Sequence, residues 1–339
     1  MSLPLVSSQI LYASAISKSA PKPEIYLIKM KTNEIRIFCP ATIANVSCGF
    51  DVLGLALDSV GDEMVVRKIN EKGIKITKLT GQDLPTETLQ NVAGVAGLAL
   101  LAESDHVGGF EIEIYKKIKA GSGIGSSAAS STGAVWAMNQ LLGSPFSNLE
   151  LVKFAMEGER LASGVAHADN VAPALYGGFT LVRSYQPLDI VKIPTPPELY
   201  ATVIHPQIEV RTSDSRRILK TSISLEDGIK QWGNVGGLIA GLFTNDYDLI
   251  GRSLVDHIIE PIRSILIPGF DKVKEDAIGA GALGCGISGS GPSIFALSKG
   301  KENALKVGEA MRNVYEKIGV DYDVHVSKIN TQGIKILEG

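Results

Sequence analysis

Apolar and polar residues alternate in several short segments of the first half of the chain, which is the pattern of half-buried β-strands. The longest of these segments covers residues 110–118. The first, residues 35–39, is followed by Pro40, where we expect the strand to stop because proline has no N–H group for a sheet ladder. Further strands are predicted at residues 64–69, 74–79 and 178–183.

Three helices are predicted in the same half, at residues 89–102, 126–142 and 148–162. The third follows the sequence Ser147-Asn148-Leu149-Glu150, which has the S-x-x-E spacing of a capping box. In that motif the two side chains satisfy backbone N–H groups that have no partner inside the helix. The spacing therefore predicts that the helix begins directly after Ser147.

The second half of the chain has a different order of elements. Residues 186–198 contain four prolines, which is typical of a linker. Beyond them we predict strands at 201–205, 293–298, 320–329 and 333–337, several helices up to residue 278, and a helix at 302–318. Because strands and helices are grouped rather than strictly alternating, the predicted fold class is α+β with two domains, residues 34–188 and 195–339. Residues 1–33 are interpreted as an N-terminal tail and excluded from the fold.

Composition and charge narrow the classes of function. The chain has 339 residues, enough for two domains, and a net charge of −3 without a cluster of basic residues, so nucleic acid is not an expected partner. Its apolar runs are shorter than the roughly 18 residues of a membrane span, so no membrane is expected either. The cysteines Cys39, Cys48 and Cys285 are scattered and unpaired in sequence, which argues against disulfides and zinc and favours a cytoplasmic protein.

A glycine-rich segment between a predicted strand and a predicted helix carries the clearest chemistry. Glycines let the backbone approach an anion, and a helix start offers free N–H groups and the positive end of the helix dipole. The sequence lacks the Gly-Lys-Ser/Thr ending of a Walker A loop, and the next element is a helix rather than the strand of a dinucleotide-binding unit. The predicted phosphate-binding residues are Lys119, Ala120, Gly121, Ser122, Gly123, Ile124, Gly125, Ser126, Ser127, Ala128 and Ala129.

Glu159 lies on the apolar side of the third predicted helix, among Val152, Ala155 and Met156. A buried carboxylate is costly unless it is paired or binds a metal. A buried salt bridge and a metal ligand are equally compatible with this helix alone. Beside a phosphate loop, a Mg²⁺ ligand is favoured, because Mg²⁺ is usually held by one or two protein groups together with phosphate oxygens.

Three separated segments resemble the homoserine kinases of the GHMP kinase superfamily. They are the sequence from Pro40 to Asp51, the loop from Gly121 to Ala129, and Gly286-Ile287-Ser288-Gly289-Ser290-Gly291-Pro292-Ser293. The likeness covers about residues 34–339, with Lys119 and Ile124 in place of the usual proline and leucine. It implies the two-domain GHMP kinase fold, with an N-terminal ribosomal-protein-S5-domain-2-like domain and a C-terminal ferredoxin-like domain. Dimers are common in the superfamily, so a homodimer is left open, although the sequence shows no interface signature.

The resemblance also implies a reaction and a set of binding residues. MgATP would phosphorylate homoserine in threonine biosynthesis, with Glu159 and Ser127 as the catalytic and Mg²⁺-binding residues and Asn91 near the adenine. The residues implied to bind homoserine are Asn45, Asp51, His167, Asp169, Asn170, Thr212, Arg216 and Arg263. A zwitterion needs a carboxylate for its ammonium group and a guanidinium for its carboxylate, which Asp169 and the two arginines supply. We therefore assign Asp169 to substrate binding rather than to general-base catalysis.

Two alternatives remain at this point. Another GHMP kinase, acting on mevalonate or a sugar, would have no ammonium group for Asp169 to bind. A non-catalytic nucleotide-binding regulator on the same fold would be expected to lack the metal ligand or the intact loop. This sequence retains Glu159 and both serines of the loop, Ser126 and Ser127.

Overall fold

The computed structural model describes residues 33–210 and 212–338, and for residues 212–214 it describes the backbone only. Its strands are β1 (Glu34–Ala44), β2 (Leu53–Ile69), β3 (Gly73–Thr80), β4 (Gly109–Tyr115), β5 (Phe179–Tyr185), β6 (Leu188–Ile193), β7 (Leu199–Pro206), β8 (Gly284–Ile287), β9 (Ile294–Lys299), β10 (Tyr322–Lys328) and β11 (Lys335–Ile336). Its helices are α1 (Val92–Ala102), α2 (Ser126–Leu141), α3 (Asn148–Ser163), α4 (Val171–Tyr176), α5 (Thr212–Arg217), α6 (Leu225–Thr244), α7 (Tyr247–Ser253), α8 (Glu260–Arg263), α9 (Phe270–Gly279) and α10 (Lys301–Ile318). The N-terminal tail predicted at residues 1–33 lies outside the described residues, except for its last position.

The long strand β2 organises the first sheet. Its far end pairs with β4 and its near end with β5, while β1 pairs with it on the other side. The sheet has seven strands in the order β11-β1-β2-β4-β3, with β5 and β6 attached at the near end of β2. Helices α1, α2 and α3 pack on one another, and α2 packs on β1 and β2, so the polar loops between strands and helices meet at one edge.

The second sheet is antiparallel and has the order β10-β7-β9-β8. Helices α9 and α10 cover it, and the core between them includes Met311 and Tyr315, both fully buried. The outer elements α6 and α7 pack together beside this sheet. Mixed strands and helices grouped on two sheets confirm the predicted α+β class.

The first strand was predicted too short. β1 continues through Pro40 to Ala44, and its pairing register with β2 shifts between Pro40 and Thr42. Between the pairs Pro40–Gly61 and Thr42–Ala56 the regular ladder is interrupted, so the missing N–H group of the adjacent proline is tolerated there.

Strand β4, in contrast, ends at Tyr115 rather than at residue 118. The backbone N–H groups of Lys117 and Ile118 donate to the Asp62 carboxylate, at 2.7 and 2.9 Å, instead of to a neighbouring strand. The side chain of Asp62 therefore ends this strand and begins the turn into the glycine-rich loop.

The segment interpreted as a linker is wrong in part, because it contains strand β6. Prolines at 187 and 194 flank this strand, and its residues pair with β5 from Leu188 opposite Tyr185 to Ile193 opposite Phe179. The two prolines lie outside the ladder, where their missing N–H groups cost nothing. The boundary between the two predicted domains stays a prediction, although the first sheet gives way to β7 within this region.

The last predicted strand is short and belongs to the first sheet. β11 pairs with β1, with Ile336 opposite Ile37. The end of the chain thus returns from the second sheet to the first. None of the helices in the described part of the chain has the length and apolar character that a bilayer span requires.

Candidate active site

One cavity of about 660 Å³ lies where the loop after β1, the glycine-rich loop, α3 and the turn between β8 and β9 come together. It collects residues that are up to 245 positions apart in the chain, from Asn45 to Ser290. Those of the predicted site residues that line it are Asn45, Asp51, Ala120, Gly121, Gly123, Gly125, Ser126, Ser127, Glu159, His167, Asp169, Asn170, Arg216 and Arg263. Residues of the predicted phosphate loop and most of the predicted substrate residues thus lie around one cavity.

The glycine-rich loop has the backbone that its glycines allow. Gly121, Gly123 and Gly125 have φ angles of 74°, 82° and 72°, a left-handed conformation that strains other residues. Gly125 is the N-cap of α2, and no side chain among the described residues caps that helix. The first turn of α2 therefore presents N–H groups and the positive end of the helix dipole to the cavity, as a phosphate site requires.

The turn between β8 and β9 holds this loop in place. The Ser288 hydroxyl donates to the Gly123 carbonyl oxygen at 2.8 Å, and the Ser293 N–H donates to the Ser122 carbonyl oxygen at 3.3 Å. A Cβ atom added to Gly123 would lie 2.6 Å from the Gly291 carbonyl oxygen. Backbone therefore packs on backbone here, and the segment from Gly286 to Ser293 supports the loop from Gly121 to Ala129.

Glu159 is buried, as predicted, with 7% of its surface exposed at the cavity wall. Burial raises the pKa of its carboxyl group to about 7, against the opposing effects of a hydrogen bond from Ser127 and the charge of Lys116. Its Oε1 atom has no hydrogen-bond partner among the described residues. A buried carboxylate oxygen without a partner, beside a hydroxyl at a helix start, suits a hard cation that prefers oxygen ligands.

No group of three or more His, Cys, Asp and Glu side chains in the described ranges could form an all-protein metal site. A cation held by Glu159 and Ser127 would therefore take its other ligands from phosphate and water, which is the usual arrangement for Mg²⁺. The residues that are present fit Mg²⁺ bound together with a polyphosphate.

Lys116 is a cavity residue that the sequence interpretation missed. It forms a buried ion pair with Asp62 and donates to the Ser126 carbonyl oxygen at 2.9 Å and to the Ser130 hydroxyl at 3.2 Å. The ammonium group thereby fixes the first turns of α2. The sequence does indicate a buried role for this lysine. Lys116 continues the inward-facing positions Phe110, Ile112 and Ile114, where a solvated lysine is not expected.

The loop after β1 is strained. Asn45, Val46 and Ser47 have successive φ angles of 70°, 43° and 60°, a conformation that costs about 1–2 kcal/mol for each such residue. The Asn45 amide group stabilises it by donating to the Gly289 carbonyl oxygen at 2.8 Å and accepting from the Asp51 N–H at 3.0 Å. Asn45 thus connects the loop to the turn between β8 and β9 and sets the position of Asp51.

Asp51, at the end of this loop, forms a charged cluster with two arginines from other elements, Arg216 of α5 and Arg263 of α8. Arg216 donates to the Asp51 carboxylate at 2.7 Å, and the guanidinium groups of Arg216 and Arg263 lie 5.4 and 4.9 Å from the centre of the Phe50 ring. Arg263 is 2% exposed and also donates to the carbonyl oxygens of Ser215 and Gly289. Burial and the nearby Arg216 lower the pKa of Arg263 to about 10, so it remains charged at neutral pH.

Asp169 lines the same cavity as this cluster. Its carboxyl group is buried, and burial together with the charges of Asp51 and Glu159 raises its pKa to about 7. The His167 Nδ1 atom lies 4.0 Å from the Asp51 carboxylate, and burial lowers the pKa of His167, which favours a neutral ring. Asn170 accepts a hydrogen bond from the Thr42 hydroxyl at 2.7 Å, which fixes the start of α4 against β1.

Six other predicted residues, all with described side chains, lie outside the cavity lining. Lys119 donates to the Gln207 side chain at 2.6 Å, and Ser122, Ile124, Ala128 and Ala129 are buried. Asn91 caps α1, accepting from the Ala93 N–H at 3.0 Å and donating to the Pro85 carbonyl oxygen at 2.7 Å. The side chain of Thr212 lies outside the described residues, and its predicted role stays a prediction.

Comparison with known proteins identifies the family of the chain. The family model described as the GHMP kinases N terminal domain matches residues 79–178, and the one described as GHMP kinases C terminal matches residues 238–317. A homoserine kinase of Chlorobium phaeobacteroides (strain BS1) is 48% identical over 314 residues, which are 88% of this chain and 98% of that relative.

Solved structures give the same result for the fold. The crystal structure of a homoserine kinase from Cytophaga hutchinsonii ATCC 33406 has a TM-score of 0.87 and 56% identity, covering 91% of this chain and 98% of that one. A Lactococcus lactis galactokinase, complexed with galactose, has a TM-score of 0.66 at 16% identity, covering 90% of this chain and 95% of that one, a likeness of fold alone. The GHMP kinase fold predicted from three short segments is confirmed, and a sugar kinase is not favoured.

Proposed function

Because the chain belongs to the homoserine kinases of the GHMP kinase family, we propose that it transfers the γ-phosphoryl group of ATP to the side-chain hydroxyl of L-homoserine. The products are ADP and O-phospho-L-homoserine, and the reaction belongs to threonine biosynthesis. In this transfer the bond between the γ-phosphorus and the β–γ bridging oxygen breaks as a bond to the homoserine oxygen forms. The hydroxyl proton is released.

One observation carries the proposal. A single cavity holds an uncapped helix start, a buried carboxylate at that helix, and, next to both, two guanidinium groups and two further carboxylates. The first two features suit a polyphosphate and its cation, and the others suit a small zwitterion. Phosphoryl transfer depends mainly on positioning two reactants and stabilising charge, which this arrangement supplies.

The phosphate end of the cavity is assigned to ATP. The N–H groups at the start of α2 and the glycine backbone from Gly121 to Gly125 would bind the phosphate oxygens. Glu159 and the Ser127 hydroxyl would hold Mg²⁺, which neutralises negative charge on the phosphates when bound. Lys116 keeps the first turns of α2 in position through the Ser126 carbonyl and the Ser130 hydroxyl.

The other end of the cavity is assigned to homoserine. Asp51 and Asp169 carry two negative charges when ionised, and Arg216 and Arg263 carry two positive ones, so the cluster is neutral overall and matches a zwitterion. Asp169 would bind the ammonium group, whose positive charge offsets the effects of Asp51 and Glu159. The arginines would bind the carboxylate, and their stacking on Phe50 fixes them beforehand, which lowers the entropy lost on binding.

A substrate panel tests the proposal. ADP release is measured by a coupled assay with homoserine, mevalonate and galactose at the same MgATP concentration. We expect turnover with homoserine at least about 100-fold above that with the other two, because only homoserine pairs with both Asp169 and the arginines. Equal or greater turnover of mevalonate or galactose would contradict the proposed substrate, and tight ATP binding without turnover of any hydroxy amino acid would favour a regulator.

We also propose a cytoplasmic location. The three cysteines are free and buried in the structure, which is compatible with a reducing compartment. This location stays a prediction.

A further inference from the structure

Tyr185, the last residue of β5, lies outside the active-site cavity and is half-buried. Its side chain borders a separate cavity of about 440 Å³. The Val182 N–H donates to the Val52 carbonyl oxygen at 2.8 Å, so β5 runs along the end of the loop that carries Asp51. The Tyr185 side chain thereby reaches this loop, although 134 positions separate it from Asp51 in the chain.

The Tyr185 hydroxyl joins two segments of the cavity wall. It donates to the Asp51 carbonyl oxygen at 3.0 Å and accepts from the Ala168 N–H at 3.3 Å. A phenolic hydroxyl has one hydrogen to donate and can accept as well, and both capacities are used here. Because Ala168 lies between His167 and Asp169, one hydroxyl connects the Asp51 loop to the segment that carries Asp169.

We propose that Tyr185 is a positioning residue of the homoserine site, whose hydroxyl fixes the position of Asp51 relative to Asp169. A zwitterion must reach the ammonium-binding Asp169 and the arginine paired with Asp51 at the same time. Their separation therefore has to be set before the substrate arrives, since small displacements of positioning groups are costly in phosphoryl transfer. The role in binding homoserine rests on the proposed function, whereas the link between the two segments does not.

Asp51 depends on support from several sides. Its φ angle is 60°, a left-handed conformation that strains a residue with a side chain. Its N–H donates to the Asn45 side chain at 3.0 Å, and its carboxylate accepts from Arg216 at 2.7 Å. The Tyr185 hydroxyl supplies a third contact, at the carbonyl oxygen, so all three polar groups of Asp51 are held by different elements.

The second segment is held at both polar groups of Ala168, which is fully buried. Its carbonyl oxygen accepts from the Ala172 N–H at 2.7 Å, in the first turn of α4, and its N–H donates to Tyr185. A direct approach between the two segments, from His167 Nδ1 to the Asp51 carboxylate, is 4.0 Å and longer than a hydrogen bond. A buried N–H without a partner is unfavourable, so the Tyr185 hydroxyl determines where this segment lies.

The hydroxyl keeps its proton under assay conditions. Burial, followed by the nearby charge of Asp169, raises the pKa of Tyr185 well above its ordinary value. The hydrogen bond that Tyr185 donates to Asp51 is therefore present at any pH near neutral. Because Tyr185 does not line the active-site cavity, its effect on the substrate has to act through Asp51 and Asp169.

Hydrogen exchange of the ligand-free chain, followed by mass spectrometry, tests the link without reference to any activity. Tyr185→Phe keeps the ring and removes only the hydroxyl. We expect peptides covering residues 45–52 and 165–170 to exchange at least about 10-fold faster in this variant, because both segments lose a backbone hydrogen bond. Unchanged exchange in both segments would overturn the proposal.

Tyr247→Phe is the matched control for this experiment. Tyr247 is also half-buried, and its hydroxyl also accepts from a backbone N–H, that of Glu198 at 3.2 Å. It does not line the active-site cavity. Residues 45–52 and 165–170 should exchange in this variant as they do in wild type, and equal acceleration by the two variants would contradict a specific link.

Steady-state kinetics test the consequence for the substrate. Tyr185→Phe should raise KM for homoserine about 10-fold, whereas kcat and KM for ATP should stay within about 2-fold of wild type. A general loss of stability would not produce this division between the two substrates. Wild-type KM for homoserine in a Tyr185→Phe enzyme, or an equal rise in both KM values, would overturn the positioning role. A wild-type chain without homoserine turnover would instead contradict the proposed function, and the exchange experiment would still decide the link.

A double variant tests whether Tyr185 acts through Asp169. The combination of Tyr185→Phe with Asp169→Asn should have a KM for homoserine no more than about 3-fold above that of Asp169→Asn alone, because two changes at one contact are not additive. Tyr247→Phe combined with Asp169→Asn should match Asp169→Asn. A KM equal to the full product of the two single effects would show that Tyr185 acts independently of Asp169, which would overturn the proposal.

Discussion

Asp169 combines burial with a raised pKa, and these two properties alone are compatible with two roles. Its pKa of about 7 comes from burial and then from the neighbouring charges of Asp51 and Glu159. Either a general base or an ammonium-binding carboxylate could have that pKa in the free protein. Asp169 shares one cavity with two guanidinium groups, which favours binding, because a zwitterion can then pair with charges of both signs.

The variant Asp169→Asn separates the two roles. We expect KM for homoserine to rise about 10- to 100-fold, the value of a charge-assisted hydrogen bond, with kcat at saturating homoserine largely retained. Initial rates over a range of homoserine concentrations measure both constants, and KM for ATP serves as the internal control. A collapse of kcat at saturating homoserine would instead make Asp169 the base.

Glu159 is expected to destabilise the protein in the absence of ligands. Its pKa in the folded state is about 7 because of burial, against an ordinary value of 4.5. For a raised carboxyl pKa, full stability is present below pH 4.5 and is lost progressively as the pH rises through 7. The full loss, reached above pH 7, is about 3 kcal/mol, because each unit by which the folded-state pKa exceeds 4.5 is worth about 1.4 kcal/mol.

Glu159→Gln should therefore raise the melting temperature of the ligand-free protein by several degrees at about pH 8 and by much less at about pH 5. Glu157→Gln, on the exposed side of the same helix, is the matched control and should change little at either pH. Thermal unfolding monitored by circular dichroism at both pH values measures the effect. A Glu159→Gln protein that is less stable than wild type at the higher pH would contradict the assignment of an uncompensated buried carboxylate.

At the scale of elements, the phosphate loop depends on contact with the turn between β8 and β9. Gly123→Ala should lower kcat/KM for ATP at least about 100-fold, because the new methyl group meets the Gly291 carbonyl oxygen and must displace one of the two backbones. Gly143→Ala is the control, since Gly143 also has a left-handed φ, 88°, but no atom lies within 4 Å of its added Cβ. It should cost only about 1 kcal/mol of stability and leave the kinetics unchanged. Equal kinetics for the two variants would mean that the contact between the loops is not needed.

The boundaries of a helix or strand could be predicted from the sequence when the residues that determine them are close together in the chain. The capping box at Ser147 is formed, and α3 begins at Asn148 as predicted, because both partners of the box lie within four residues. The end of β4 was missed because its cause, the Asp62 carboxylate, comes from another strand. The strand after Pro187 was missed because it depends on pairing with β5, whereas the local sequence is rich in proline.

For the molecule as a whole, the sequence identified the parts of the site but not how they are held. The glycine loop and Glu159 were predicted from their local patterns, because three alternating glycines at a helix start and a carboxylate on an apolar helix face are unusual. The substrate residues were predicted only from the resemblance to the homoserine kinases. The supports were not found, because Ser288 reaching Gly123 and Asn45 reaching Gly289 are contacts between residues more than 160 positions apart.

The proposed function requires that the start of α2 and Glu159 together promote phosphoryl transfer from MgATP to homoserine. It is tested most directly by mass spectrometry of the products under saturating MgATP and homoserine, for wild type and Glu159→Gln. We predict that wild type forms ADP and phosphohomoserine in equal amounts, and that Glu159→Gln, although folded, is slower in kcat by at least about 100-fold. Wild-type turnover by Glu159→Gln, or ADP formed without phosphohomoserine, would contradict the claim.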